Sequence, residues 1–168
     1  MTTQEQMSEI VDLMDGLCRG FKPVPGACLY MSALLAGTIS DTTDIEFQVV
    51  TGSMSASGKS IFKHTPIKES LSSGKDVNLP VWDGHCWVKL KGDIICDPSL
   101  FKTIFSPLAS ENIKSIFRQH FKETTLYLIG QPHRLADKHI YYEEKEILQT
   151  KEIDFIIGNI QRLGLWHS

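Results

Sequence analysis

Three side chains in this sequence suit nucleophilic acyl chemistry, and each stands at the end of an expected element: Cys28, His85 and Asp97. A thiolate can attack an acyl carbon, an imidazole can take and return the proton, and a carboxylate can hold the imidazole in one tautomer. Cys28 lies in "GACLYMSALLAG", where Pro23, Pro25 and Gly26 precede a run of helix-forming residues. A thiol in a first helical turn feels the positive end of the macrodipole and lies beside free backbone N–H groups. The same N–H groups could receive the oxygen of a tetrahedral intermediate. Taken singly, each residue has an ordinary reading: Cys28 as a small core residue, His85 as a hydrogen-bonded histidine, Asp97 before Pro98 as the start of a turn. Their joint occurrence directs the reading to catalysis.

What must bring them together is the hairpin "HCWVKLKGDIICD", His85 to Asp97. Gly92 is the residue suited to positive φ, and a three-residue loop of Leu90, Lys91 and Gly92 places it where a type I turn with a bulge needs it. That loop sets Lys89 against Asp93, Trp87 against Ile95, and His85 against Asp97 on one face. A two-residue loop of Lys91 and Gly92 would instead set Asp97 opposite Cys86. The three-residue form also pairs opposite charges.

The remaining elements follow from periodicity. Met7, Ile10, Val11, Met14 and Leu17 recur at helical spacing, with Thr3 and Gln6 as a capping box and Gly20 as a stop. The Cys28 helix is expected to end near Gly37. "DIEFQVV" and "SIFKH" read as strands, and "TPIKESLSS" as a short helix with Thr65 as cap and Pro66 in its first turn. "SENIKSIFRQHF" reads as an amphipathic helix, "TLYLIG" and "HIYYEE" as strands, "YYEEKE" as a charged edge or turn. "KEIDFIIGNIQRLG" reads as a closing helix with Ile153, Ile156, Ile157 and Ile160 inward. Helices first, then mostly hairpin-connected strands with later helices, lack regular βαβ alternation, so the expected class is α+β with an antiparallel sheet. The length, 168 residues, fits one domain spanning 1–168.

Composition excludes several classes. With 22% charged residues and a net charge of -3, the chain is neither disordered nor a nucleic-acid binder in type. The N-terminus has neither the basic region nor the apolar run of a signal peptide, and no apolar run reaches the roughly 20 residues that span a bilayer. Cys18, Cys28, Cys86 and Cys96 include no CxxC pair, so reduced thiols and a cytoplasmic location are expected, with no membrane partner. Delivery to another cell without a cleaved signal would look the same. "SMSASGKS", Ser53 to Ser60, ends like a phosphate-binding loop, but Gly52 is one place too early and a strand follows; a mobile hairpin turn, and a substrate loop by its placement, is the reading taken. A zinc site built on His85, Cys86, Cys96 and Asp97 conflicts with strand alternation. His64, His120, His133, His139 and His167 show no ligand spacing and read as solvated or locally hydrogen-bonded. No cofactor or metal is expected.

In "GAC", "HCWV" and "DPS" the chain resembles the transglutaminase-like, papain-fold superfamily of cysteine enzymes over Gly26 to Ser99. The resemblance implies a papain-like α+β fold, Cys28 as nucleophile, His85 as base and acid, Asp97 as its orienter, and a thioester formed on a protein or peptide substrate. It departs from the family in Leu29 after the Cys and in lacking an upstream Gln as second oxyanion donor; Trp82 and Tyr30 are weak substitutes. Expected activities are peptide or amide hydrolysis or glutamine deamidation, with transfer to an amine acceptor as one alternative and a non-catalytic binding module on the same fold as another.

Overall fold

The structure, a computed structural model, describes residues 2–22, 24, 27–74 and 82–166. In chain order its elements are α1 (Gln4–Gly20), α2 (Ala27–Thr42), β1 (Phe47–Ala56), β2 (Lys59–Phe62), α3 (Lys68–Ser72), β3 (His85–Leu90) and β4 (Ile94–Asp97). After these come α4 (Leu100–Ile104), α5 (Glu111–Arg118), β5 (Leu128–Gly130), α6 (Pro132–Ala136), β6 (Ile140–Leu148) and α7 (Thr150–Leu163). The class is α+β, with six antiparallel strands in a single sheet. No helix among the described residues is long and apolar enough to cross a membrane.

Thr3 and Gln6 form the expected capping box of α1, and the buried stripe is Ile10, Met14, Leu17 and Cys18. The α2 helix runs five residues past the expected stop, because Gly37 is a contact position: a Cβ there would lie 3.0 Å from Ile157 of α7. α2 packs on α1, α7 and β3 and is buried on most of its surface. The α3 helix begins at Lys68 and lacks the expected Thr65 cap. A carboxylate from another strand replaces it, since Glu146 accepts the Ile67 N–H at 3.0 Å and the Lys68 N–H at 3.1 Å. "YYEEKE" is most of β6, an edge strand that pairs with β1, so of the two readings the charged edge holds; α4 and α6 have no counterpart in the periodicity reading. The Pro23, Pro25 and Gly26 readings, and that for His167, lie outside the described residues.

The sheet has two buried faces. Val49, Cys86, Val88, Leu90, Cys96 and Leu148 face α1, α2 and α7. Val50, Met54, Trp87, Ile95 and Leu128 face α4, α5 and α6. β6 occupies one edge of β1 from Val49 to Ala56, and the other edge is shared: β3 pairs from Phe47 to Gly52, and β2 takes over from Met54. His85 therefore sits where one strand yields to the next. The segment around Ser53–Ser60, read as a hairpin turn, is the β1–β2 hairpin, closed by Ser57 and Gly58, both at positive φ.

The β3–β4 register differs from both hairpin forms weighed above. Lys89 pairs with Ile95 and Leu90 with Ile94, so the loop is Lys91, Gly92 and Asp93, with Gly92 at φ 89° and Asp93 at φ 61°. Relative to the three-residue expectation the pairing slides by two residues. A slide of two keeps every side chain on its face, whereas a slide of one would have moved Asp97 to the far side. His85 and Asp97 thus remain on one face as diagonal neighbours, still within reach of each other.

Candidate active site

His85 Nε2 donates to Asp97 Oδ2 at 2.6 Å, with the two side chains 1% and 0% exposed. The other ring nitrogen, Nδ1, is buried without a hydrogen-bond partner among the described residues. Cys28, the second residue of α2 and 8% exposed, is close enough to act on that imidazole. Burial pulls the His85 proton affinity down; Asp97, through charge and hydrogen bond, and then Cys28 outweigh it and carry the pKa up to about 10. The structure thus brings Cys28, His85 and Asp97 together.

Each member is held by neighbouring elements. Ser32, one turn beyond Cys28, donates from Oγ to the Cys86 carbonyl at 3.0 Å and pins the start of α2 to the start of β3. The Phe62 ring stacks on the imidazole at 4.2 Å with planes 5° apart, which bars ring rotation and covers one face from water. Asp97 Oδ1 accepts the Ser99 N–H at 3.3 Å and the Leu100 N–H at 3.1 Å, with the Ser99 hydroxyl at 3.4 Å. The carboxylate therefore holds the first turn of α4 with one oxygen and His85 with the other. Cys18 of α1 donates to the Pro98 carbonyl at 3.2 Å, holding the turn after Asp97. Burial first of all pushes the Cys18 thiol up to about 12, so it serves as a donor and not as a nucleophile.

Tyr142 is the residue that sequence reasoning missed. Its hydroxyl donates to Asp97 Oδ2 at 2.7 Å, sharing the oxygen that holds His85. It reaches this face because β6 carries a bulge: between Thr51 and Gly52 of β1 the pairing skips one residue, Lys145. Tyr142 and Glu144 thereby point to the His85 face, while Glu146 and Leu148 point to the α2 face. Unbroken alternation would have put all four on one side. Gly52 makes the bulge possible, since a Cβ there would lie 1.9 Å from the Glu143 carbonyl oxygen. Tyr141 and Tyr142 stood in a segment read as a charged edge, and no local pattern marks the extra residue.

Of the two readings for His64, solvated or hydrogen-bonded, the structure shows the second. Its side chain is 6% exposed, with Nε2 3.1 Å from Thr51 Oγ1 and 3.2 Å from Glu146 Oε1. Thr51 in turn donates to Glu146 at 3.0 Å, so this cluster anchors the segment leading into α3. Trp82 Nε1 donates to the Thr65 carbonyl at 2.8 Å and is committed there, and Tyr30 is buried. The indole N–H of Trp82 is therefore not free to serve as the second oxyanion donor. Cys86 and Cys96 lie on the face opposite His85 and Asp97, in the core with α1 and α2. Among the described residues no three His, Cys, Asp or Glu side chains gather as a metal site.

The chain matches no protein-family model, no curated protein and no solved structure.

Proposed function

We propose that the chain is a thiol-dependent acyl-transfer enzyme of transglutaminase-like, papain-fold type, with Cys28 as nucleophile, His85 as base and acid, and Asp97 as orienter. The observation that carries this reading is the buried His85–Asp97 bond of 2.6 Å, which leaves Nδ1 as the free nitrogen beside the first turn of α2. Nothing in core packing requires a fully buried imidazole with one unsatisfied nitrogen, and such groups are rare outside functional sites.

In the proposed reaction Nδ1 takes the Cys28 proton and Sγ attacks the carbonyl carbon of an amide. The oxyanion is received by the N–H groups of the first α2 turn. Nδ1 then gives its proton to the departing amine, the C–N bond breaks, and a thioester remains. Water, deprotonated by His85, resolves the thioester to an acid and restores the thiol. The substrate class is a peptide bond or a glutamine side-chain amide; with an amine in place of water the product is a new amide. Throughout, Asp97 keeps the imidazole in one orientation and stabilises its charged form.

A binding module on the same fold is the second reading, favoured by the 8% exposure of Cys28. Profiling with a thiol-directed electrophilic probe separates the two. The enzyme reading expects labelling of the native chain that Cys28→Ala abolishes and His85→Asn greatly slows. Labelling no stronger than that of unfolded chain would leave the module.

A further inference from the structure

We propose that Tyr142 is a positioning residue that restrains the basicity of His85 by sharing Asp97 Oδ2 with it. The proposal deepens the Cys28–His85–Asp97 reading and rests on it. Two donors converge on one oxygen: His85 Nε2 at 2.6 Å and the Tyr142 hydroxyl at 2.7 Å. A donor to a carboxylate oxygen disperses its negative charge, so that oxygen attracts the imidazolium less. Two further features assign the contact a role beyond filling space. The β6 bulge and the side-chain-free Gly52 together deliver Tyr142 to this face. The phenol is partly buried, and burial followed by the Asp97 charge raises its pKa well above the ordinary value, so it stays protonated and donates throughout the working range.

The surroundings hold few competing charges. From β3 and β4 the couple meets its own His85 and Asp97 and, across the sheet, the Cys86 and Cys96 thiols; from α2 it meets Cys28, from α1 Cys18. On β6 beyond Tyr142, Glu144 is paired with Lys89 at 2.7 Å. Trp87 packs edge-on against the Tyr142 ring at 4.9 Å and keeps water from the shared oxygen. An imidazole held too strongly as imidazolium is a poor donor to a departing amine, since general acid catalysis works best when the acid's pKa lies near the working pH. Tyr142 moves His85 toward that range.

The test follows the His85 imidazole by ¹⁵N NMR across pH in the full chain. Samples are wild type, Tyr142→Phe, Tyr141→Phe as a neighbouring control, and a chain carrying 3-fluorotyrosine at 142, nearly isosteric and a stronger donor. Tyr142→Phe is expected to raise the His85 midpoint by roughly half a unit or more, the fluorinated ring to lower it, and Tyr141→Phe to leave it in place. A midpoint unmoved by the fluorinated ring overturns the proposal, even where Tyr142→Phe fails to fold. Cys28 alkylation of the wild type is measured beside it. An inert wild-type thiol with a graded midpoint rejects the enzyme reading and keeps the Tyr142–Asp97–His85 coupling, whereas a reactive thiol with a flat midpoint rejects this proposal alone.

Discussion

Asp97 is the residue on which most of the site's hydrogen bonds converge. It accepts from His85, Tyr142, Ser99 and Leu100 while fully buried, so its charge is replaced by protein donors and not by water. Asp97→Asn keeps the shape but turns one acceptor into a donor facing either His85 and Tyr142 or the α4 amides. The expected result is a loss of Cys28 probe labelling of at least about 100-fold, since a misoriented imidazole loses most of its value as a base. The variant is also expected to be less stable by about 3 kcal/mol, the usual scale for breaking a buried charged pair. Probe kinetics and urea unfolding check the two effects separately. The His85–Asp97 pair was legible in "HCWV" and "DPS" because a three-residue loop, combined with strand alternation, places both polar side chains on one face. The tyrosine on the same oxygen was not, because its placement depends on pairing with β1, about ninety residues away in the chain.

At the scale of elements, parity matters more than register. The hairpin slides two residues from its expected pairing and the His–Asp prediction survives, because two is the period of a strand. The bulge on β6 does the reverse: one extra residue changes parity, sending Tyr142 to Asp97 and Glu146 to the α3 amides. Gly52 is the residue this depends on. Gly52→Ala would press a methyl group against the Glu143 backbone, which cannot rotate aside as a side chain would. Destabilisation of about 3 kcal/mol or more is expected, at the upper end for overpacking, measurable by denaturant unfolding. Gly92→Ala is expected to cost about 1 kcal/mol, since its positive φ is strained for alanine but space there is open. The helix caps divide along the same line: Thr3 and Gln6 cap α1 from within the sequence, whereas α3 is capped by a distant glutamate that no local pattern reveals.

For the whole molecule, α2 is the member that joins the two buried faces, packing on one of them while its first turn meets the imidazole that belongs to the other. The charged couple at that junction makes stability depend on pH. His85 binds its proton more tightly folded, to about 10, than at its ordinary 6.5, so its contribution is complete below pH 6.5 and is lost as pH rises toward 10. The urea midpoint is expected to fall over that window in the wild type and to fall less in His85→Asn. Glu146 acts with opposite sign: burial would raise its pKa, but the Ile67 and Lys68 amides and Thr51 hold it below the ordinary value. Its contribution is therefore lost as pH drops below about 4.5. The proposed chemistry rests on one thiol, and the most direct measurement is the second-order rate of Cys28 alkylation by iodoacetamide near pH 6, located by peptide mass spectrometry, in wild type and in folded His85→Asn. The prediction is a wild-type rate at least about tenfold above that of the denatured chain, falling to the denatured value in the variant. Equal rates in the native chain, the denatured chain and the variant would contradict it.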